Sequence, residues 1–302
     1  MRYLSFIAPG ESRVRLGALQ AEDRVVSLAR GDLPLDMLSF IQAGQETWSL
    51  AEQIARQTQS VWPLDQVTLK APLPRPPTLR DFYAFETHVK QTNKNRGHEV
   101  PEEWYEFPVF YFTNPNTIYG PGEGIPIPAY TQAMDYELEV AAVLGKEGKD
   151  IPAEFAVEHI FGFTILNDWS ARDVQRKEMK VGLGPAKGKD FATSLGPWIV
   201  TLDELVGRRT VRPGVYTLEM TARVNGKELS RGNWNDIHYS FGELIHRASE
   251  GVMLYPGDVI GSGTVGTGCL LELTKGEGPW LKKGDKVELE IEGIGVLNNK
   301  VH

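Results

Sequence analysis

The segment MDYELEVAAVLG, residues 134–145, most constrains how this chain can fold. Its second half is the continuous apolar run of a buried strand, whereas its first half carries a carboxylate at every second position, namely Asp135, Glu137 and Glu139. Successive side chains of a strand point to opposite faces, so this spacing predicts three carboxylates on one face. Like charges repel one another and lose hydration when buried, so we expect positive charge among them.

Composition limits the classes of partner. The chain has 302 residues, of which 41% are hydrophobic and 24% charged, which indicates one large domain or two unequal ones. A net charge of -8 gives no general basic field, so we expect neither nucleic acid nor an anionic membrane as a partner. The single cysteine, Cys269, excludes an intrachain disulfide, and no apolar run is long enough for a signal peptide or a membrane span. We therefore expect a cytoplasmic protein that binds small molecules or further copies of itself.

The pattern along the chain predicts a small α+β N-terminal domain at residues 1–70. Three strand-like runs, RYLSFIA, VRLGALQ and RVVSLA, precede two helical stretches, PLDMLSFIQAG and TWSLAEQIARQTQ. Four prolines at positions 72, 74, 76 and 77 then stiffen a connector, where we place the domain boundary.

Residues 71–302 are predicted to form a mainly β domain with a few helices. Short β-branched and aromatic runs alternate with Gly and Pro, and CLLELT is one of these strand-like runs. Asn225-Gly226 between two alternating runs predicts a two-residue hairpin. The stretch WNDIHYSFGELIHRASEGVMLYPGD predicts a helix that ends at glycine and proline.

Four carboxylates are candidate ligands of a metal ion. Asp81 lies in LRDFYAFETHVKQ, and Asp168 ends the apolar run ILND. If these two converge with Glu137 and Glu139, they form an all-oxygen pocket that suits Mg²⁺, Ca²⁺ or Mn²⁺, whereas zinc would recruit His or Cys. Taken alone, each piece has a simpler interpretation, because an E-x-E pair is commonly solvent-facing and a lone histidine is commonly structural.

Taken together, the motifs resemble the fumarylacetoacetate hydrolase family over roughly residues 70–302. The motifs concerned are RDFYAFETH, the E-x-E of DYELE, NDWSARDVQ, GKDFATSLGPW, GSGT and GDKVELEIEGIGVLNN. The resemblance implies a mixed β-roll that chelates a divalent metal and acts on diketo and enol acids, commonly as a homodimer.

The resemblance also implies residue roles. The metal ligands would be Asp81, Glu137, Glu139 and Asp168, with Thr193 near the metal. His88 matches the family's general base, and the residues that match oxyanion-stabilising positions are Arg172, Gln175 and Lys189. The substrate contacts would be Tyr83, Tyr111 and Thr264, with Arg96 as the nearest candidate for a substrate-binding arginine.

Two positions help to choose a branch of the family. Many smaller relatives carry a glutamate three residues after the histidine, where this chain has Gln91. The eukaryotic-type hydrolase instead uses a glutamate from a late strand, and Glu272 in CLLELT matches it, although a substrate-binding tyrosine of that branch is Met179 here.

These positions predict a hydrolase that cleaves a carbon-carbon bond in a diketo acid of the fumarylacetoacetate or acylpyruvate type, in aromatic-compound catabolism. In this scheme His88, oriented by Glu272, activates water. Two alternatives stay open. One is an isomerase or decarboxylase of a 2-hydroxydienoate or 2-oxo acid, and the other is a metal-stabilised protein that binds a small acid without turning it over.

Overall fold

A computed structural model of the chain describes residues 1–29, 33–95 and 97–302. The strands are β1 (Arg2–Ile7), β2 (Val14–Gln20), β3 (Arg24–Ser27), β4 (Val61–Pro63), β5 (Thr68–Lys70), β6 (Leu79–Phe82), β7 (Phe110–Phe112), β8 (Ile118–Tyr119), β9 (Gly124–Ile125), β10 (Met134–Asp135), β11 (Leu138–Leu144), β12 (Ile160–Asp168), β13 (Ser170–Ala171), β14 (Thr193–Val200), β15 (Glu219–Val224), β16 (Lys227–Asn233), β17 (Val259–Gly261), β18 (Lys286–Ile291) and β19 (Gly295–Val301). The α-helices are α1 (Met37–Gln42), α2 (Gln45–Gln57), α3 (Glu86–Asn95), α4 (Arg172–Glu178), α5 (Phe241–Ser249) and α6 (Leu270–Leu273). Short 3-10 helices cover Leu64–Gln66, Glu102–Tyr105, Ala156–His159, Met179–Val181, Leu202–Arg208 and Trp234–Asp236.

A large mixed sheet runs in the order β4-β3-β2-β1-β14-β12-β11-β17-β6-β7, with β5 beside β1 and β8 beside β14. The predicted mainly β fold with a few helices is therefore confirmed. The N-terminal strands are part of the same sheet, because β1 pairs with β14 through Arg2↔Val200 and Tyr3↔Ile199. The division at residue 70 stays a prediction, since the sheet continues across it.

A smaller sheet has the order β16-β15-β18-β19-β9. β15 and β16 form the predicted hairpin, whose turn residues Asn225 and Gly226 have φ of 52° and 78°. Two positive φ angles in succession are the conformation that an Asn-Gly pair adopts most readily, which explains why this dipeptide marks the turn.

Strand β11 is buried on both faces. Val140, Ala142 and Leu144 belong to an apolar cluster shared with the smaller sheet, whereas Ala141 and Val143 belong to a cluster with helices α1 and α2 on the opposite face. A strand between two apolar layers needs apolar residues at every position, which accounts for the continuous run after Glu139.

The strand predicted at CLLELT is wrong, because Leu270–Leu273 is the short helix α6. The buried carboxylate of Asp135 accepts hydrogen bonds from the backbone N–H of Leu270 at 2.8 Å and of Leu271 at 3.0 Å. The first N–H groups of a helix have no partner within the helix, so an acceptor from a distant strand stabilises this turn. A four-residue apolar run carries no periodicity that could reveal such a partner.

Register brings three strand ends to one edge of the large sheet. β11 runs antiparallel to β12, so Leu138 near its start faces Asn167 near the end of β12. β17 joins β11 to β6, and its Gly261 pairs with Asp81. Carboxylates from β6, β11 and β12 therefore meet at this edge. Within the described part of the chain, no helix is long and apolar enough to cross a membrane.

Candidate active site

Three buried carboxylates form a cluster that we call the carboxylate trio: Asp81 on β6, Glu139 on β11 and Asp168 at the end of β12. One oxygen from each lies within 4.8 Å of the others. The trio lines a cavity of about 500 Å³ together with Glu137. The carboxylates predicted to converge therefore do share one cavity wall.

The GSGT motif shapes the wall behind Asp81. A Cβ on Gly261 would lie 2.4 Å from Asp81 Oδ1, so a side chain there would displace the carboxylate. Gly263 donates its backbone N–H to the same oxygen at 3.2 Å, with φ of +76°. A Cβ on Gly263 would also lie 2.3 Å from the carbonyl oxygen of Phe82, so both positions require glycine.

Some carboxylate oxygens of the trio have no hydrogen-bond partner among the described residues. Burial, reinforced by neighbouring carboxylates, raises the pKa of both Asp81 and Glu139 well above the usual range. Glu139 Oε2 and Asp168 Oδ1 are buried and accept no hydrogen bond from any described residue. Unsatisfied buried carboxylate oxygens at this spacing fit a hard divalent cation, which would supply both the missing ligand and the missing charge.

Part of the expected positive charge comes from the chain itself. Lys189 Nζ donates to Glu137 Oε2 at 2.5 Å and also contacts Asp168 Oδ2. Arg172 donates to Glu137 Oε1 and to Asp135 Oδ2, both at 2.8 Å. Burial alone would raise the pKa of Glu137, but the Lys189 and Arg172 charges together lower it below its usual range. Asp135 thus pairs with Arg172 and with helix α6, while the other two acidic residues of the opening segment line the cavity.

A buried histidine–carboxylate pair lies beside the trio, and its histidine lines the cavity. His88 is buried on α3, and its Nδ1 hydrogen-bonds to Glu272 Oε1 from α6. Glu272 Oε2 accepts the backbone N–H of Thr267 at 2.8 Å, which holds the carboxylate in place. An ionised carboxylate can only accept, so Nδ1 carries the proton and Nε2 is the nitrogen available for proton transfer.

Three residues predicted to contact the substrate or the oxyanion line the cavity, and each forms a hydrogen bond with another residue of the site. Tyr111 Oη donates to Asp168 Oδ2 at 2.6 Å, and burial raises the pKa of this phenol, so it stays a neutral donor. Thr264 donates to Glu139 Oε1 at 3.3 Å. Gln175 accepts a hydrogen bond from Arg172 at 3.1 Å.

The other predicted residues have different positions. Tyr83 lines the cavity, with its ring edge-on to His88 at 5.3 Å between centroids. Thr193 pairs with Asp168 in the β12–β14 register, and its buried hydroxyl has no hydrogen-bond partner within the described ranges. It is a neighbour of the trio rather than part of the cavity lining. Arg96 lies outside the described residues.

Apart from Met179, the motifs gave no indication of the apolar wall of the cavity. Its members are Val89, Trp104, Val109, Phe110, Met179, Leu183 and Leu271. Trp104 is buried, and its Nε1 donates to the carbonyl oxygen of Tyr83 at 2.8 Å. A tryptophan in the glutamate-rich stretch EVPEEWYEF was the available signal, because so large an apolar group beside several charges usually packs against other apolar groups.

A family description, a curated relative and two solved structures all relate this chain to the same family. The family description "Fumarylacetoacetate (FAA) hydrolase C-terminal" matches residues 78–302. The human mitochondrial oxaloacetate tautomerase FAHD2A is 35% identical over 308 residues, which cover 100% of this chain and 91% of the relative. A fumarylacetoacetate hydrolase from Exiguobacterium antarcticum superposes with a TM-score of 0.77 at 28% identity, covering 100% of this chain and 99% of that one. A 5-carboxymethyl-2-hydroxymuconate delta-isomerase from Mycobacterium smegmatis gives 0.70 at 30% identity with the same coverage. The chain belongs to the fumarylacetoacetate hydrolase family.

Proposed function

We propose that this protein is a divalent-metal-dependent enzyme that interconverts the keto and enol forms of oxaloacetate or a similar 2-oxo dicarboxylate. The observation that carries the proposal is that His88, paired with the buried Glu272, lines the same cavity as the carboxylate trio. Tautomerisation needs a base beside a site that chelates a 2-oxo acid, and no activated water. The full-length similarity to oxaloacetate tautomerases supports this choice.

The trio would hold Mg²⁺, with Mn²⁺ or Ca²⁺ as alternatives of similar ligand preference. A bound divalent ion chelated by a 2-oxo acid polarises the carbonyl and stabilises negative charge on its oxygen. Lys189 is already held against Glu137 and Asp168, so its ammonium adds fixed positive charge beside the same oxygens.

The base of this reaction is His88. Conversion of the enol to the ketone removes the proton of the enol hydroxyl and adds a proton to the carbon beside the carbonyl, and the reverse reaction does the opposite. His88 lines the cavity and would exchange the proton through Nε2, while Glu272 accepts the hydrogen bond from Nδ1–H and stabilises the imidazolium that forms. The apolar wall limits the access of bulk water to the intermediate.

Hydrolysis of a carbon-carbon bond in a diketo acid is a second candidate, favoured by the apolar wall. A four-carbon dicarboxylate has no apolar group to place against Val89, Trp104 and Phe110, whereas the acyl chain of an acylpyruvate does. In this reaction His88 would take a proton from water, and Lys189 would stabilise the oxyanion that forms on the attacked carbonyl.

Isotope labelling separates the two reactions. The protein with Mg²⁺ is incubated with enol oxaloacetate and, separately, with acylpyruvates, in heavy water and in water labelled with ¹⁸O. A tautomerase accelerates deuterium entry at C3 of oxaloacetate and places no solvent oxygen in a carboxylate. A hydrolase releases pyruvate from an acylpyruvate with one solvent oxygen in a product carboxylate per turnover.

The rate measured with His88→Gln, which lacks the proposed base, serves as the rate of the uncatalysed reaction. The proposal requires Mg²⁺-dependent acceleration of oxaloacetate tautomerisation that chelator abolishes and that this variant lacks. A rate equal to that of the variant, with labelled acylpyruvate cleavage present, would instead establish the hydrolase. Absence of both activities would leave the chain a metal-binding protein and contradict both candidates.

A further inference from the structure

A further cluster of possible metal ligands lies beside the trio. His88, Cys269 and Glu272 are all buried, and one donor atom from each lies within 4.8 Å of the others. Cys269 Sγ is 3.8 Å from Glu272 Oε1. Burial raises the pKa of the thiol well above its usual range, so Cys269 is a neutral thiol and a poor nucleophile. The reaction proposed above gives it no part.

Two packed helices hold the three side chains in position. Cys269 is the N-cap of α6, and Glu272 follows within its first turn. His88 comes from α3, which packs against α6. Because Thr267 fixes Glu272 Oε2, the other carboxylate oxygen is turned toward both His88 and Cys269. The donors therefore converge without rearrangement of the backbone.

We propose that His88, Cys269 and Glu272 form a metal site distinct from the trio, which takes Zn²⁺ or another thiophilic divalent ion. Imidazole, thiolate and carboxylate are the three donor types that zinc selects, whereas the oxygen-only trio suits hard ions. Zinc binds sulfur at about 2.3 Å and nitrogen or oxygen at about 2.0 Å, so tetrahedral donors lie roughly 3.3 to 3.6 Å apart. The sulfur–oxygen distance of 3.8 Å is close to this spacing. A fourth position would be left for water or substrate.

Zinc binding at this cluster inhibits the enzyme without displacing Mg²⁺. The ion takes the place of the hydrogen between His88 Nδ1 and Glu272, and this proton moves to Nε2 so that the ring stays neutral, while the proton of the Cys269 thiol passes to solvent. His88 then has neither its carboxylate partner nor its freedom to change protonation state. The inhibition rests on the proposed role of His88 as base, whereas the binding does not.

The test exploits the single cysteine of the chain. Protein saturated with Mg²⁺ is titrated with Cd²⁺ or Co²⁺, and the thiolate-to-metal charge-transfer absorption is recorded, since it can arise only from Cys269. We expect a band that saturates at one equivalent in the wild type and is absent in Cys269→Ala. Zinc inhibition, measured by tautomerase activity at saturating Mg²⁺, should weaken in the variant on the order of 10- to 100-fold or more.

Cys269→Ala should keep the Mg²⁺-dependent rate and the melting temperature of the wild type, and Cys269→Ser serves as a near-isosteric replacement if the alanine variant folds poorly. A wild-type protein without a thiolate band overturns the site. Equal zinc inhibition of wild type and variants also overturns it, because zinc would then act at the trio. A band at one equivalent with unchanged activity establishes the site and refutes the role of His88 as base.

Discussion

Replacement of Glu272 by glutamine tests how the base is oriented. Glutamine has the same shape but only one acceptor oxygen, whereas the carboxylate of Glu272 serves both His88 Nδ1 and the Thr267 N–H. If the amide oxygen accepts from Thr267, the amide NH₂ faces Nδ1 and stabilises the tautomer with the proton on Nε2. That tautomer cannot take up a proton at Nε2. Glu272→Gln also removes the charge that stabilises the imidazolium.

The size of the effect follows from electrostatics. Two unit charges about 4 Å apart interact by about 4 kcal/mol at an effective dielectric constant of about 20. Since about 1.4 kcal/mol changes a rate tenfold, loss of this interaction lowers kcat by on the order of 10²- to 10³-fold. The trio keeps all its oxygens, so we expect the Mg²⁺ affinity of Glu272→Gln to stay within about threefold of the wild type, because no ligand of the ion is changed.

Steady-state tautomerase kinetics and calorimetric Mg²⁺ titration measure the two quantities separately. The control is Gln91→Ala, because Gln91 lies on the same helix as His88 but, among the described residues, its side chain bonds only Asn95. We expect its kcat to stay within about threefold of the wild type, since the pair of His88 and Glu272 is intact. A Glu272→Gln protein that keeps wild-type kcat would refute the orienting role.

Three further predictions concern the charges of the site. Glu139→Gln should abolish the rise in melting temperature that Mg²⁺ causes, measured by differential scanning fluorimetry, and should leave the metal-free protein at least as stable, because it removes a buried repelled charge. Burial raises the folded-state pKa of Asp81 and Glu139, so their contribution to stability is full below the unfolded pKa of about 4 and is lost as pH rises through the folded pKa. The rise in melting temperature with Mg²⁺ should therefore be larger at pH 8 than at pH 6, and an equal rise at both would contradict this sign. Lys189→Met leaves Glu137 and Asp168 without their shared cation. We expect the unfolding free energy of the metal-free protein, measured by urea denaturation, to fall by about 3 to 5 kcal/mol. Part of this loss should be restored by Mg²⁺.

Local pattern was sufficient for much of the fold. The continuous apolar run of β11 predicted a buried strand, and Asn225-Gly226 predicted the hairpin of β15 and β16, because strand period and turn conformation depend on neighbouring residues only. The motif spacing also selected the carboxylates that share the cavity wall. Gly263 of GSGT is required by its close approach to the backbone of Phe82, which is distant in the chain, but the glycine itself is visible in the motif.

Contacts between distant segments decided the rest. Glu272 pairs with His88, which lies 184 positions earlier in the chain. The segment of Glu272 is helical because the carboxylate of Asp135, on strand β10, caps it. Lys189 reaches Glu137 across 52 positions; the spacing of the carboxylates indicated that positive charge lies among them but did not identify this cation. The sequence by itself determined which side chains share a strand face or a turn, since those relations follow from backbone geometry. Only the tertiary structure decided which charges neutralise one another, because the free energy of a buried ion pair depends on distance and burial rather than on separation along the chain.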